Sequence, residues 1–197
     1  MTSQQKAYLY AGLTILLWST VATAFKIALR DLDFIQFLFV ASLSSTVALW
    51  TIAFGKGLLS TILRPTAMEL RSSAIMGLLN PLMYYLVLFK AYDLLPAQEA
   101  QPLNWTWPIV LSVMSALFLK QRLGWPGVLA VCLSFFGVLT ISTHGHPFTM
   151  QFTNPTGDML AIGSSIIWAT YWIMNMKDSR DPIVKLSWSF LFGTLYS

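Results

Sequence analysis

The sequence is poor in charged residues. They make up 10% of its 197 residues, whereas a typical soluble domain has about 25%. Hydrophobic residues make up 56% of the chain, and the mean hydropathy is +0.64. This composition excludes an ordinary soluble domain and is typical of a membrane protein. The net charge of +4 is therefore better explained by membrane topology than by nucleic-acid binding.

Cysteine and the motifs of soluble enzymes are also scarce. Cys132 is the single cysteine of the sequence and lies in an apolar run, so it cannot form an internal disulfide. The sequence has no phosphate-binding loop, no dinucleotide-binding glycine motif and no nucleophile elbow. His144 and His146, even with Asp158, are too few ligands for a metal site. We expect no enzyme, metal or cofactor; an integral membrane receptor or enzyme is the weaker alternative.

Carboxylates are missing from the centre of every complete apolar segment. Proton-coupled exporters generally need a central carboxylate, so this absence favours passive movement of a solute down its gradient. We expect Glu99 and Lys90 to lie close to one membrane surface, with the ammonium groups of Lys90 and Lys26 extending toward water.

Six apolar segments are long enough to cross a bilayer, which requires about 20 residues. They are Ala7–Ala28, Phe34–Phe54, Ser72–Ala91, Ala97–Leu119, Pro126–Thr143 and Gly157–Met176. A seventh begins near Val184 and is still apolar at Ser197, so we expect the chain to be a fragment that stops within a helix. The sequence therefore predicts an all-α integral membrane protein, a multi-span helical bundle.

Cations alternate between the loops. Nine occur in the loops of one side, namely Lys6, Lys56, Arg64, Arg71, Lys120, Arg122, Lys177, Arg180 and Lys185. The other side has three, namely Lys26, Arg30 and Lys90. Because loops rich in lysine and arginine stay in the cytoplasm, this asymmetry predicts a cytoplasmic N-terminus.

The sequence contains a weak internal repeat. Trp18-Ser19-Thr20 corresponds to Trp168-Ala169-Thr170, and Arg30-Asp31 to Arg180-Asp181, with 150 positions between partners. Five predicted spans separate the two copies, so they enter the membrane from opposite sides. Inverted repeats of this kind are typical of transporters, whose substrate site lies where the halves meet.

Short motifs along almost the whole chain are similar to those of one transporter family. They are Trp18 to Thr20, Leu88 to Tyr92, Ala100 to Pro108, Leu117 to Leu123 followed by Gly137 to Leu139, and Gly157 to Tyr171. With these motifs the chain resembles the EamA-type branch of the drug/metabolite transporter superfamily. Residues 16–20 and 104–108 look most like YddG-type exporters of aromatic amino acids. One departure is Gln121, where the family usually has glutamate.

The resemblance implies a domain organisation and a function. Full-length relatives have ten helices in two five-helix repeats, so residues 1–147 would be the first EamA repeat. Residues 148–197 would begin an inverted second repeat, truncated within the seventh helix. The implied function is export of small metabolites across the plasma (bacterial inner) membrane by alternating access. Amino acids are the implied substrates, and the YddG-like motifs favour aromatic ones. The partners would be a small-molecule solute and the lipid bilayer, in an undefined oligomeric state; the alternative is an inactive fragment of such a transporter.

Polar and aromatic side chains on the apolar segments are candidate substrate contacts. They are Trp18, Asn80, Tyr84, Gln101, Asn104, Trp105, Trp107, Trp168 and Tyr171. Amides can hydrogen-bond a zwitterion, and aromatic rings can stack on a planar or cationic solute. Treating the fourth segment as one helix turns Trp105 inward and Trp107 about 110° away, toward packing. Pro81 and Pro108 predict kinks that suit a cavity or a hinge, and Tyr92 is expected in the interfacial aromatic belt.

Overall fold

The structure, a computed structural model, describes residues 2–118, 124–148 and 154–197. Within these ranges the chain forms helices joined by turns, without a strand. The helices are α1 (Ser3–Ala28), α2 (Phe34–Gly55), α3 (Leu59–Ile62), α4 (Ala67–Gly77), α5 (Tyr84–Leu94), α6 (Ala97–Asn104), α7 (Trp107–Phe118), α8 (Trp125–Ser142), α9 (Pro155–Lys177) and α10 (Pro182–Tyr196). A π-helical segment, Leu78–Met83, joins α4 to α5.

Short polar residues define where several helices begin. The Asp33 side chain accepts hydrogen bonds from the first turn of α2, and Thr66 and Glu69 form a capping box at α4. Asn154 and Asp181 cap α9 and α10, which both begin with proline. These caps satisfy backbone N–H groups that have no partner inside the helix.

Within the described residues, five helical stretches are long and apolar enough to cross a membrane. They are Gln4–Ala28, Phe34–Gly55, Ala67–Leu94, Trp125–Ser142 and Pro155–Lys177. They correspond to the first, second, third, fifth and sixth predicted spans, with ends that differ by a few residues. The prediction of an all-α membrane protein is therefore confirmed.

The fourth predicted span is wrong as a single helix. α6 ends at Asn104 and α7 begins at Trp107, with a turn at the two residues between them. Pro108 has no N–H to donate to the Asn104 carbonyl, so the regular α-helical hydrogen bond cannot form there. The end of this span, with Lys120, Gln121 and Arg122, lies outside the described residues.

The third span is interrupted as well. Asn80 has φ −144° and ψ 118° within the π-helical segment, and Pro81 follows it through a cis peptide bond. The kink predicted at Pro81 is confirmed.

α9 forms the centre of the helical packing. It lies against α5, α6 and α7, while α10 packs on α2, α4 and the π-helical segment. The largest buried apolar cluster joins α5 to α9 and α6, with Leu88, Leu103 and Ala161 at its centre. α1 is peripheral, and its most apolar window has no buried residue. Its exposed leucine and isoleucine side chains suit contact with lipid.

Candidate functional site

A cavity of about 120 Å³ lies among α1, α5, the α6–α7 junction and α9. Seven of the nine predicted contact residues line it, namely Trp18, Tyr84, Gln101, Asn104, Trp105, Trp107 and Trp168. These residues come from four separate stretches of sequence. The folded bundle brings together side chains that were predicted one apolar segment at a time.

Asn80 and Tyr171 are not among the residues lining this cavity. Both are buried. Tyr171 also stacks on Trp168, with ring centroids 5.6 Å apart. The structure therefore puts these two residues behind the cavity wall, where they can support its shape.

A chain of buried hydrogen bonds forms the polar side of the cavity. The Tyr84 hydroxyl donates to Asn104 Oδ1 at 3.2 Å, and Asn104 Nδ2 donates to Ser164 Oγ at 2.8 Å. Ser164 Oγ in turn donates to the carbonyl oxygen of Ala161 at 2.6 Å. The amide of Asn104 is thus held in one orientation by α5 on one side and α9 on the other.

Hydroxyl groups compensate for the break between α6 and α7. Ser165 Oγ donates to the Asn104 carbonyl oxygen at 2.7 Å, the acceptor that Pro108 leaves without a helical donor. Thr106 Oγ1 donates to the Leu103 carbonyl oxygen at 2.8 Å. Because unsatisfied backbone groups are costly away from water, these bonds stabilise a broken helix beside the cavity.

Aromatic rings form the walls of the cavity. The Tyr84 and Trp168 centroids are 4.6 Å apart, and Trp18 meets Trp105 edge to face at 5.9 Å. Trp18 is 38% exposed and Trp105 45% exposed, whereas Tyr84 is 7% exposed. The tryptophan pair therefore lies at the open side of the cavity, and the Tyr84–Asn104 hydrogen bond lies at its closed side.

The structure does not separate Trp105 from Trp107 as the single-helix arithmetic predicts. Both side chains line the cavity, because the turn after Asn104 changes the direction of the chain between them. Trp107 also stacks on Trp172 of α9, with nearly parallel rings 6.4 Å apart. Helical arithmetic failed here because it assumed one uninterrupted helix.

The sequence reasoning missed several lining residues. Phe25, Tyr85, Leu88 and Tyr92 also line the cavity. Tyr92 was expected in the interfacial belt, but it is 3% exposed. The four-residue spacing of Tyr84, Leu88 and Tyr92 along α5 was a usable signal, because it places them on one helix face.

A second, larger cavity of about 650 Å³ lies next to the first and shares Tyr92 with it. Charged side chains line it, namely Lys26, Arg30, Asp33 and Asp93. The Lys26 ammonium group donates a hydrogen bond to the backbone carbonyl of Tyr92, at the boundary of the two cavities. This arrangement puts a charged cavity beside the aromatic one.

The described part of the chain contains no group of three or more histidine, cysteine or acidic side chains that could hold a metal ion. The aromatic cavity instead offers ring faces together with an amide and a hydroxyl group. These groups can bind a small planar or zwitterionic solute without covalent chemistry.

Comparisons with known proteins identify a transporter family and two similar transporters. The family model described as the EamA-like transporter family matches residues 5–143. An uncharacterized transporter of Archaeoglobus fulgidus is 26% identical over 196 residues, covering 97% of this chain and 65% of that protein. The uncharacterized transporter YyaM of Bacillus subtilis is 22% identical over 156 residues, covering 78% of this chain and 50% of that protein. The chain thus spans between half and two thirds of the length of these relatives, and no solved structure matches it.

Proposed function

This chain belongs to the EamA-like transporter family, and we propose that it exports small metabolites through alternating access. The substrate class we propose is amino acids, with aromatic ones favoured. In this proposal the chain lies in the plasma membrane of a bacterial cell, the inner membrane where there are two, with its N-terminus in the cytoplasm.

The observation that carries the proposal is the chemistry of the aromatic cavity. Its volume of about 120 Å³ is similar to that of an engineered apolar cavity of ~150 Å³ that binds benzene. The ring faces of Trp105, Trp107 and Trp168 suit an aromatic side chain. The amide of Asn104 and the adjoining Gln101 can hydrogen-bond the polar end of an amino acid.

The position of the cavity supports alternating access. Its walls combine α1, α5 and the α6–α7 junction with α9, the helix that the sequence repeat assigns to the second half. Transporter sites of this kind lie between repeats and next to interrupted helices. The break at Asn104 and the π-helical segment are both interruptions near such a boundary, so rocking of one half about the other would open and close the cavity.

Efflux of labelled amino acids from cells expressing the full-length gene product tests the proposal. We expect efflux of phenylalanine or tryptophan to exceed that of a host without the gene. Trp168→Ala, Trp105→Ala and Trp107→Ala should each lower it about tenfold, the equivalent of one lost stacking contact of ~1.4 kcal/mol. Trp125→Ala is the matched control, because Trp125 is 77% exposed and does not line the cavity.

Two results would contradict this function. One is efflux that stays at host level for every aromatic and small neutral amino acid although the protein is present in the membrane. The other is an equal loss of efflux in Trp125→Ala and Trp168→Ala, which would disconnect transport from the cavity.

A further inference from the structure

Two carboxyl groups are buried together at the end of the bundle where α6 and α9 begin. Glu99 in α6 is 5% exposed and Asp158 in α9 is 4% exposed. The sequence suggested that Glu99 lies close to the membrane surface, but it did not indicate that Glu99 and Asp158 face each other. The two carboxyl groups interact electrostatically with each other and with His144.

The hydrogen-bonding capacity of this pair is largely unused. Oε1 of Glu99 and both carboxylate oxygens of Asp158 are buried and have no hydrogen-bond partner among the described residues. A buried polar group without a partner is costly, and two neighbouring negative charges are costlier still. Two carboxylates that share a buried site cannot both be ionised unless a cation is held between them. The geometry therefore calls for one positive charge at this position.

His144 connects the buried pair to the surface. Its Nε2 lies 3.9 Å from Oε2 of Glu99, and its side chain is 55% exposed, compared with 6% for the side chain of Glu99. His144 follows the end of α8, which packs against α6. An imidazole is thus placed between water and a buried carboxyl group.

Other charged groups on the surrounding helices have partners of their own. On α5, the Lys90 ammonium group is paired with Asp93 at 2.7 Å, and both are exposed. On α1, the Lys26 ammonium group donates to the Tyr92 carbonyl. His146 follows His144 in the same turn and is exposed. The groups that act on Asp158 are Glu99 and His144.

We propose that Glu99 and Asp158 form a proton-binding site that holds one exchangeable proton between their carboxyl groups, with His144 as the exchange route to water. The proton leaves the imidazolium of His144 and joins a carboxylate, which produces a neutral imidazole and a carboxylic acid. Loss of the shared proton puts two negative charges at the contact between α6 and α9 and weakens it. Because α6 also carries Gln101 and Asn104, a weaker contact between α6 and α9 would change the positions of these side chains in the aromatic cavity. This last step alone rests on the proposed function.

Infrared spectroscopy of the full-length protein in lipid bilayers tests the site directly. Exposed carboxyl groups are ionised above about pH 6, two units above their ordinary pKa values of ~4. We expect the native protein to retain a carboxylic-acid C=O band there. The band should shift or disappear in Glu99→Gln and in Asp158→Asn, and it should be absent from the double variant. Asp93→Asn is the matched control and should keep the band unchanged.

Amides have nearly the shape of protonated carboxyl groups, so these variants should fold, and size-exclusion chromatography checks this. A band that persists in the folded double variant would overturn the proposal. Loss of the native band on adding sodium at constant pH would also overturn it, because the site would then hold a metal cation. None of the infrared measurements uses a transported solute. Trp168→Ala should lower efflux about tenfold and keep the band, so failure of this site and failure of the transport function are distinguishable.

Discussion

Asn104 is the residue that joins three parts of the molecule. Its side chain accepts from Tyr84 on α5 and donates to Ser164 on α9, while its backbone carbonyl accepts from Ser165. All of these atoms are buried, where a donor or acceptor left without a partner costs more than the bond itself contributes.

Replacing Asn104 with leucine should therefore lower both stability and transport. The substitution leaves the Tyr84 hydroxyl and Ser164 without their partner, and we expect the free energy of unfolding to fall by about 0.5–2 kcal/mol. Thermal unfolding in detergent measures this change. Asn175→Leu is the control, because the buried side-chain oxygen of Asn175 has no hydrogen-bond partner; an equal loss in the two variants would contradict the role given to Asn104.

Asp178 and Arg180 form a second polar connection, at the opposite end of α9. Arg180 Nη2 lies 2.6 Å from Asp178 Oδ2 and donates to Ser73 Oγ of α4 at 3.0 Å. The two side chains are 10% and 12% exposed. Hydrogen bonding to the Arg180 guanidinium lowers the pKa of Asp178 below its ordinary value.

This lowered pKa predicts how stability depends on pH. A carboxyl group with a lower pKa in the folded state contributes stability above its unfolded pKa of ~3.9, and loses it as pH falls through the folded value. Asp178→Asn should thus lower the melting temperature at neutral pH, with a difference that shrinks below about pH 4. In the control, Asp93→Asn, little change is expected because the Lys90–Asp93 pair is exposed. A difference that grows toward low pH would show that the carboxylate of Asp178 is not stabilising.

At the scale of elements, two close helix contacts depend on glycine. A Cβ atom on Gly77 would overlap the backbone carbonyl oxygen of Ser189 in α10, and one on Gly193 would overlap the ring of Pro81. These glycines allow α10 to pack against α4 and the π-helical segment. Small residues at helix crossings serve this purpose in membranes, where backbones can then approach closely.

Substituting these glycines should separate α10 from its neighbours. Gly77→Ala and Gly193→Ala should each lower the free energy of unfolding by about 1–3 kcal/mol through overpacking. Gly163→Ala is the matched control, since a Cβ there meets nothing within 4 Å, and alanine should be neutral or stabilising by up to ~1 kcal/mol. Thermal unfolding compares the three variants, and destabilisation by Gly163→Ala alone would contradict this account.

At the scale of the whole molecule, the described loops segregate as the charge pattern predicts. His144, Glu99 and Asp158 lie together at one end, and Arg180 meets the backbone of Glu69 and the side chain of Ser73 at the other. Each of these contacts joins segments that the charge pattern assigns to the same side of the membrane. Which end faces the cytoplasm stays a prediction from the lysine and arginine counts.

Cysteine labelling in intact cells tests this orientation. In a Cys132→Ala background, His146→Cys should react with a membrane-impermeant thiol reagent added outside. Lys56→Cys should react after the cells are opened. Both positions are exposed, so a difference in labelling reports sidedness rather than burial. The reverse pattern would place the N-terminus outside and overturn the charge-based prediction.

Much of the fold could be predicted from the sequence because membrane spans are encoded locally. Each needs about 20 apolar residues and satisfies its own backbone hydrogen bonds, so hydropathy and loop charge define its position without reference to other helices. Seven of the side chains that line the cavity were identified in the same way, from polar and aromatic residues within apolar runs, whereas Phe25, Tyr85 and Tyr92 were missed.

Tertiary structure alone decided which of these side chains meet. Pairing Glu99 with Asp158, and Asn104 with Ser164, joins helices far apart in sequence, and no local pattern records such a contact. The turn between Asn104 and Trp107 changes the direction in which the following side chains point. Pro108 cannot donate a hydrogen bond to the Asn104 carbonyl, and Ser165 of α9 donates to it instead. Local sequence thus identifies most of the candidate contact residues, and long-range packing determines the cavity that brings them together.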